Sequence, residues 1–418
     1  MTPPQPTATA IASDGRPTTP ELKRTLGLPL LVLYGLGVTV GAGIYVLVGT
    51  AAGRAGVHAP IAFLVAAVVM AFTAASFAEL AVRFPVSAGE AAYVAAGLRS
   101  DRLALVVGLL VIAAGVISAA AISQGAAGYI GVLVPASPIL LVSVVILGMG
   151  AIASWGIAQA VGLAAVMTLI EIAGLIVIVA AGFWQQPQLL ADLPLAVEGL
   201  GTAAPWPGIM AASLLAFFAF VGFEGMVNVA EEVKHPARTL PLAILITLTI
   251  STILYVLVVW VIIRAVPQAE LAASTAPLSL AYQRLTGASP VLISLIAIIA
   301  TVNGVIVQMI MASRVVYGLA CQGNLPAALG SVSSVTHTPL AATALVVAAT
   351  LALAVAFPID RLAEMTSRVM LVIFAFVNLA LFAMKWRGDI APPTIDMPIA
   401  VPILGFLTCL GLMIADMI

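Results

Sequence analysis

Long apolar stretches alternate with short polar joins from Leu28 to the end of the chain. No Asp, Glu, Lys or Arg occurs between Leu103 and Ile170, between Thr239 and Ile263, or between Val315 and Ile359. Such runs predict transmembrane helices, because about 20 apolar residues in helix cross a hydrocarbon core of roughly 30 Å. The pattern places helices at about 28–51, 59–82, 103–133, 138–155, 160–183, 207–232, 239–263, 290–320, 339–357, 364–386 and 398–417. Prolines punctuate the joins, among them Pro60, Pro85, Pro138, Pro207, Pro290, Pro339 and Pro398. Ser87 to Arg99 reads as a short interfacial helix, and Pro267 to Thr286 as a loop with a helical piece. The first 25 residues are polar and rich in Pro and Thr, which predicts a disordered tail ahead of a retained helix rather than a cleaved leader.

Two of these spans do not read as continuous helices. Residues 35–43 hold Gly35, Gly37, Gly41 and Gly43, with β-branched Val38, Thr39 and Val40 between them. Both residue types disfavour helix relative to Ala or Leu. Residues 217–226 read Phe-Phe-Ala-Phe-Val-Gly-Phe-Glu-Gly-Met, so that two glycines flank a carboxylate deep in an apolar run. Unpaired backbone in a bilayer costs several kcal/mol, roughly, and is tolerated where it lines a site. Glycine-broken spans at matching places in two halves of a chain point to a midplane binding site.

The two breaks offer opposite chemistry. A half-helix starting near Ala42 and Gly43 presents free N–H groups and a partial positive charge, which suit a carboxylate. The half-helix ending near Phe220 and Val221 leaves carbonyls, which suit an ammonium. Together they fit the two ends of an amino acid. Gly37-xxx-Gly41 also reads as a small-residue packing seam, and that alternative stays open. Glu224 is either a direct or gating group or a cap that ties the broken backbone together.

Composition narrows the class. The chain is 63% hydrophobic and 8% charged, against about 25% charged in a soluble protein. A β-barrel is disfavoured, since barrel strands alternate polar and apolar residues. The net charge of −1 gives no hint of nucleic-acid binding. Cys321 and Cys409 stand in no metal spacing, and His58, His235 and His337 lie far apart, so neither a disulfide framework nor a metal site is expected. Lys and Arg favour an N-terminus inside, with eleven on that side and five (Arg54, Arg264, Arg284, Arg361, Arg368) on the other. An odd helix count then leaves Ile418 outside.

Four strings in order carry a family resemblance: residues 35–46 (Gly-Leu-Gly-Val-Thr-Val-Gly-Ala-Gly-Ile-Tyr-Val), residues 77–90, residues 222–241 and residues 312–326. Through them the chain resembles the amino acid–polyamine–organocation transporter superfamily, nearest its cationic amino acid transporter branch, over about residues 22–386. The resemblance implies an all-α multi-pass membrane protein of about eleven transmembrane helices. Its fold would be the LeuT-like 5+5 inverted repeat, with helices one and six broken at the midplane. The expected organisation is a cytoplasmic tail over 1–25 and a ten-helix core over 26–386, with repeat one at about 26–185 and repeat two at about 205–386. A further C-terminal transmembrane helix is expected within 387–418.

The resemblance also implies roles. Backbone at Gly41, Ala42 and Gly43 would take the substrate carboxylate. Carbonyls near Thr39 and Val221 would take the amine, with Val38, Phe218, Ala219 and Glu224 completing the pocket. Arg83, Glu231, Glu232, Lys234, Arg238 and Arg314 would gather at the inner mouth as a gate, or as an ordinary solvated cluster. Where several proton-coupled relatives carry a lysine on helix five, this chain has Glu171, the one charged residue between Arg102 and Asp192. Glu171 is open to three roles: carrying a proton, since an apolar surround penalises a carboxylate's charged form; binding Na⁺ with Thr301 and Asn303; or a neutral structural partner.

The expected function is secondary active transport of a small-to-medium neutral amino acid by alternating access with H⁺ coupling. The expected location is the plasma or inner membrane of the cell, with the N-terminus cytoplasmic. Alternatives are a polyamine or organocation carrier, an amino acid exchanger, and a non-transporting amino-acid sensor. An enzyme is not expected, because no HExxH, GxSxG or Walker loop occurs in the spans. No cofactor or nucleic-acid partner is expected.

Overall fold

The computed structural model describes Arg24 and residues 26–84, 89–155, 161–388 and 395–415. The expected tail, apart from Arg24, lies outside the described residues, as do residues 85–88 and the last three. Among the described residues the chain is helical, with one isolated bridge between Leu26 and Val233.

Among the described residues, eight apolar runs are long enough to cross a membrane. The first, Leu28–Arg83, has 56 residues. As helix it would reach roughly 84 Å, nearly three bilayer cores. It therefore turns back at a 3-10 turn, Gly56–His58. Before the turn lie α1 (Leu28–Val40) and α2 (Ala42–Ala55), separated by Gly41; after it lies α3 (Ala59–Arg83). Then follow the short α4 (Gly89–Leu98), α5 (Asp101–Leu133), α6 (Pro138–Trp155) and α7 (Val161–Gln185). The second half opens with α8 (Trp206–Phe220) and a 3-10 helix, Phe223–Glu232, which together make the sixth span. It continues through α9 (Pro236–Ala265), the short α10 (Gln268–Ala273) and α11 (Pro277–Thr286), α12 (Val291–Cys321), α13 (Leu340–Ala356) and α14 (Ile359–Arg387). With α15 (Ala400–Ala415) the described residues form eleven spans.

Each set of five spans begins with a broken one. Five is odd, so the second set enters from the face opposite the first. Contacts at both ends agree. Leu26, just before α1, donates its N–H to Glu232 O at 3.0 Å and accepts from Lys234 N at 2.8 Å, so the chain enters α1 where it leaves the sixth span. At the far face Arg54, ending α2, reaches Ala211 O near the start of α8. The two broken spans thus run antiparallel, side by side.

The expected boundaries hold to within a few residues, with one correction. The second half of the sixth span is a 3-10 helix over ten residues rather than an α-helix. Gly225, Val227, Asn228 and Val229 are poor helix formers. Long 3-10 runs are uncommon and mark hinges or strain.

Packing sets the broken spans at the centre. The most apolar part of the run Trp206–Val227, in the sixth span, is 78% buried, against 28% for α6, whose Ile139, Leu140, Val144 and Leu147 face outward. α3 packs on α8 and α9, and α5 on α12 and α14. Phe77, Phe217, Phe223 and Phe374 join α3, the sixth span and α14, with ring centroids 5.4–5.9 Å apart. Such edge contacts add about 0.5–1.5 kcal/mol each beyond burial. The eleventh span docks through Asn378 of α14, which donates to Thr73 Oγ1 at 3.0 Å and accepts from Ser76 Oγ at 2.7 Å, while Cys409 Sγ lies 3.7 Å from Thr73. Buried polar contacts of this kind hold helices together in lipid.

Candidate substrate site

The two breaks meet. A Cβ built on Gly43 would fall 2.5 Å from the Ala219 Cα, and one built on Gly222 would fall 2.5 Å from Val38 O. Only glycine allows this approach at either place. Gly222 also has φ +131°, which L side chains rarely adopt.

A cleft opens beside the junction. From the first span it is lined by Tyr34, Gly37, Val38, Thr39, Gly41, Ala42 and Gly43, and from the sixth by Phe218 and Val221. Ser118 and Ile122 of α5, Thr168 of α7, and Asn303, Gly304, Val307 and Gln308 of α12 complete it. Seven of the nine expected binding residues therefore face one space. Ala219 lies behind it against Gly43. Glu224 lines a smaller neighbouring cavity that shares Ser118, Val221 and Gln308 with the cleft.

The electrostatics differ between the breaks. The N-terminal turn of α2 has no side-chain cap, so its N–H groups remain available beside the cleft. At the second break Glu224 Oε2 accepts from Gly222 N at 2.8 Å, which uses up a donor there. Glu224 thus ties the broken backbone. Among the carbonyls near Thr39 expected to take the amine, Thr39 O already accepts from the Tyr255 hydroxyl at 2.7 Å, which also lies 2.9 Å from Ala219 O.

Glu171 is buried on α7, behind the cleft and near Thr168. Its side chain faces the Asn303 amide, and neither carboxyl oxygen reaches a partner within strict hydrogen-bond geometry. Its main-chain oxygen accepts from the Tyr45 hydroxyl at 2.6 Å, and Tyr45 O in turn accepts from the Tyr129 hydroxyl at 2.6 Å. Thr301 donates to Ala297 O of its own helix at 2.7 Å.

The expected gate residues separate. Tyr34 lies within electrostatic reach of Glu232 and Arg314, which puts both at the N-terminal face of the cleft. Lys234 and Arg238 begin the connection into α9, and the Glu231 side chain lies outside the described residues. Arg83 makes its ion pairs with other residues. Its guanidinium binds Glu79 Oε1 at 2.5 Å, one turn back on α3, and lies 3.8 Å from Asp396. Lys385 reaches the same Glu79 oxygen at 2.8 Å and Asp396 at 2.5 Å, while Met397 N donates to the other Glu79 oxygen at 2.9 Å. Buried Glu79 thus ties Arg83 to the loop before α15.

A charged cluster at the opposite face went unforeseen. Arg54 of α2 pairs with Glu364 of α14 at 2.5 Å and with Asp360 at 3.6 Å, and Arg361 reaches Glu364 at 3.4 Å. Tyr255, Ser118 and Gln308 were missed as well. The signal for Tyr255 was present in the sequence: a tyrosine inside a charge-free span needs a partner for its hydroxyl.

A model of the amino acid permease family matches residues 26–418. The branched-chain amino acid permease BcaP of Bacillus subtilis (strain 168) is 29% identical over 420 residues, covering 94% of this chain and 88% of that protein. The vacuolar cationic amino acid transporter 4 of Arabidopsis thaliana is 30% identical, over 88% of this chain and 64% of its own length. The uncharacterized transporter Rv1999c of Mycobacterium tuberculosis (strain ATCC 25618 / H37Rv) is 31% identical over 87% of this chain and 81% of that protein. With its eleven spans and this family match over nearly its whole length, the chain is a transporter and not an enzyme, and it belongs to the amino acid permeases of the amino acid–polyamine–organocation superfamily, on the cationic amino acid transporter-like branch.

Proposed function

We propose that this permease is a secondary transporter that clasps a free amino acid between its two broken spans and moves it by alternating access. The observation that carries this reading is the single cleft in which uncapped N–H groups of α2 face the carbonyl end of α8. The carboxylate docks at Gly41, Ala42 and Gly43. The ammonium docks on carbonyls around Val38 and Val221. Val38, Ile122, Phe218, Val221 and Val307 wall the rest, which supports a small-to-medium apolar side chain. A relative named for branched-chain amino acids is in keeping with this.

Glu171 carries the coupling proton, because a buried carboxyl next to the cleft without a cationic partner is held more cheaply in its neutral form. Repeat one spans about 26–185 and repeat two about 205–386, with 387–418 adding the last helix. The N-terminal face is cytoplasmic and the membrane is that of the cell. Arg54 and Glu364 close the far mouth, while the Leu26–Val233 bridge and the Glu232–Arg314 region bound the near one.

A second reading has its own support. Glu90 and Glu224 both line the cavity that adjoins the cleft, beside Ser118 and Gln308. Two buried carboxylates there suit the cationic end of a basic amino acid, the class named in the plant relatives.

Purified protein in liposomes, given radiolabelled leucine or lysine under an imposed pH or Na⁺ gradient, tests both. The first reading predicts leucine accumulation driven by a pH gradient and lost in Glu171→Gln. Lysine accumulation without leucine uptake favours the second. Unchanged proton-driven accumulation in Glu171→Gln removes Glu171 from the coupling.

A further inference from the structure

Tyr255 belongs to neither broken span, yet its hydroxyl meets both. It lies on α9, is fully buried and does not line the cleft. Its ring is fixed edge-on by Phe63 at 5.9 Å and Phe220 at 5.0 Å. The hydroxyl sits 2.7 Å from Thr39 O and 2.9 Å from Ala219 O. Both oxygens come from the C-terminal turns of half-helices, where partial negative charge collects. Brought together in an apolar surround they repel. A phenol has one hydrogen, so the two carbonyls share it.

We propose that Tyr255 is a positioning residue of the clasp: its shared hydrogen fixes the spacing between the α1–α2 break, which takes the carboxylate, and the α8 break, which takes the ammonium. The inference rests on the amino acid reading above. Its consequence is selective. A ligand that touches both breaks depends on their spacing, and a ligand that touches one does not.

The test uses the full-length permease and three probes: leucine, its des-amino acid 4-methylpentanoate, and its decarboxylated amine 3-methylbutylamine. Each competes against labelled leucine. Tyr255→Phe keeps the ring and removes the hydrogen, as does Tyr255→O-methyltyrosine; Tyr255→p-aminophenylalanine restores a donor. The expected result is a loss of leucine affinity of about tenfold in the donor-less variants, the scale of one hydrogen bond. The two one-ended probes hold their wild-type affinity, and p-aminophenylalanine keeps the wild-type ratio. Tyr129→Phe, which removes a buried hydroxyl from Tyr45 O without bridging the breaks, leaves the ratio alone. An unchanged or larger ratio in Tyr255→Phe, equal weakening of all three probes, or a lost ratio with p-aminophenylalanine overturns the proposal. If wild-type protein binds leucine no better than the one-ended probes, the amino acid clasp itself fails, and this inference with it.

Discussion

Gly222→Ala is the smallest perturbation that strikes the contact between the two breaks. The residue has φ +131° and ψ −25°, and an added methyl would sit 2.5 Å from Val38 O and 2.9 Å from Val38 C. Neither neighbour is a side-chain tip that can swing away; both are backbone of the first broken span. Holding an alanine in that conformation costs about 1–3 kcal/mol. Overpacking against fixed atoms adds a further 1–3 kcal/mol or so. The total of roughly 2–6 kcal/mol falls on the spacing of the clasp. At 1.4 kcal/mol per factor of ten, substrate affinity should drop by at least about 30-fold.

The assay is counterflow of labelled amino acid in proteoliposomes, paired with ligand-induced thermal shift on the purified protein. Gly148→Ala in α6 is the control. A Cβ there meets nothing within 4 Å, so the change should be neutral or stabilise the helix by about 0.5–1 kcal/mol. Counterflow by Gly222→Ala within twofold of wild type would refute the claim that the breaks touch at this point.

Other consequences are checkable in the same preparations. Glu79→Gln leaves Arg83 and Lys385, each under 10% exposed in its side chain, without their shared buried carboxylate, and should cost about 3–5 kcal/mol, read as a fall in thermal midpoint; an unchanged midpoint would contradict the network. Glu364→Gln removes the nearer of the two carboxylates paired with Arg54, whose side chain is 25% exposed, so stability should change by about 1 kcal/mol or less, while thiol labelling of Ala211→Cys at the far face should rise. Lys385 holds the exposed Asp396 carboxyl below its ordinary 3.8, so their contact is present above that value and is lost as pH falls through the lowered one. Wild type and Asp396→Asn should therefore differ in thermal midpoint at pH 7 and converge only in strong acid; convergence already at pH 5 would contradict the pairing.

Much of this architecture could be read from the chain because lipid forces a simple code. Charge-free runs and their prolines marked the spans, and α6 starts at the expected Pro138. The breaks at Gly41 and Gly222 were legible since glycines and β-branched residues crowd where helix would otherwise be cheap. What the chain did not show depended on partners distant in sequence. Arg83 reads as part of an inner charge cluster until the fold brings Lys385 and Asp396 to Glu79. Carbonyls near Thr39 read as an ammonium site, but nothing local shows that Tyr255, 216 residues later, already donates to one of them. The 3-10 geometry of Phe223–Glu232 also escaped, since weak helix formers predict loosening but not which tighter helix replaces the α-form.

The central claim is that two broken spans form one clasp for both ends of an amino acid. Counterflow by purified protein in liposomes, screened over the amino acids with des-amino and decarboxylated competitors, tests it most directly. The account predicts exchange of at least one amino acid, blocked by excess of the same unlabelled amino acid and at least tenfold less well by either one-ended analogue. No exchange with any amino acid, or equal block by the one-ended analogues, would contradict it.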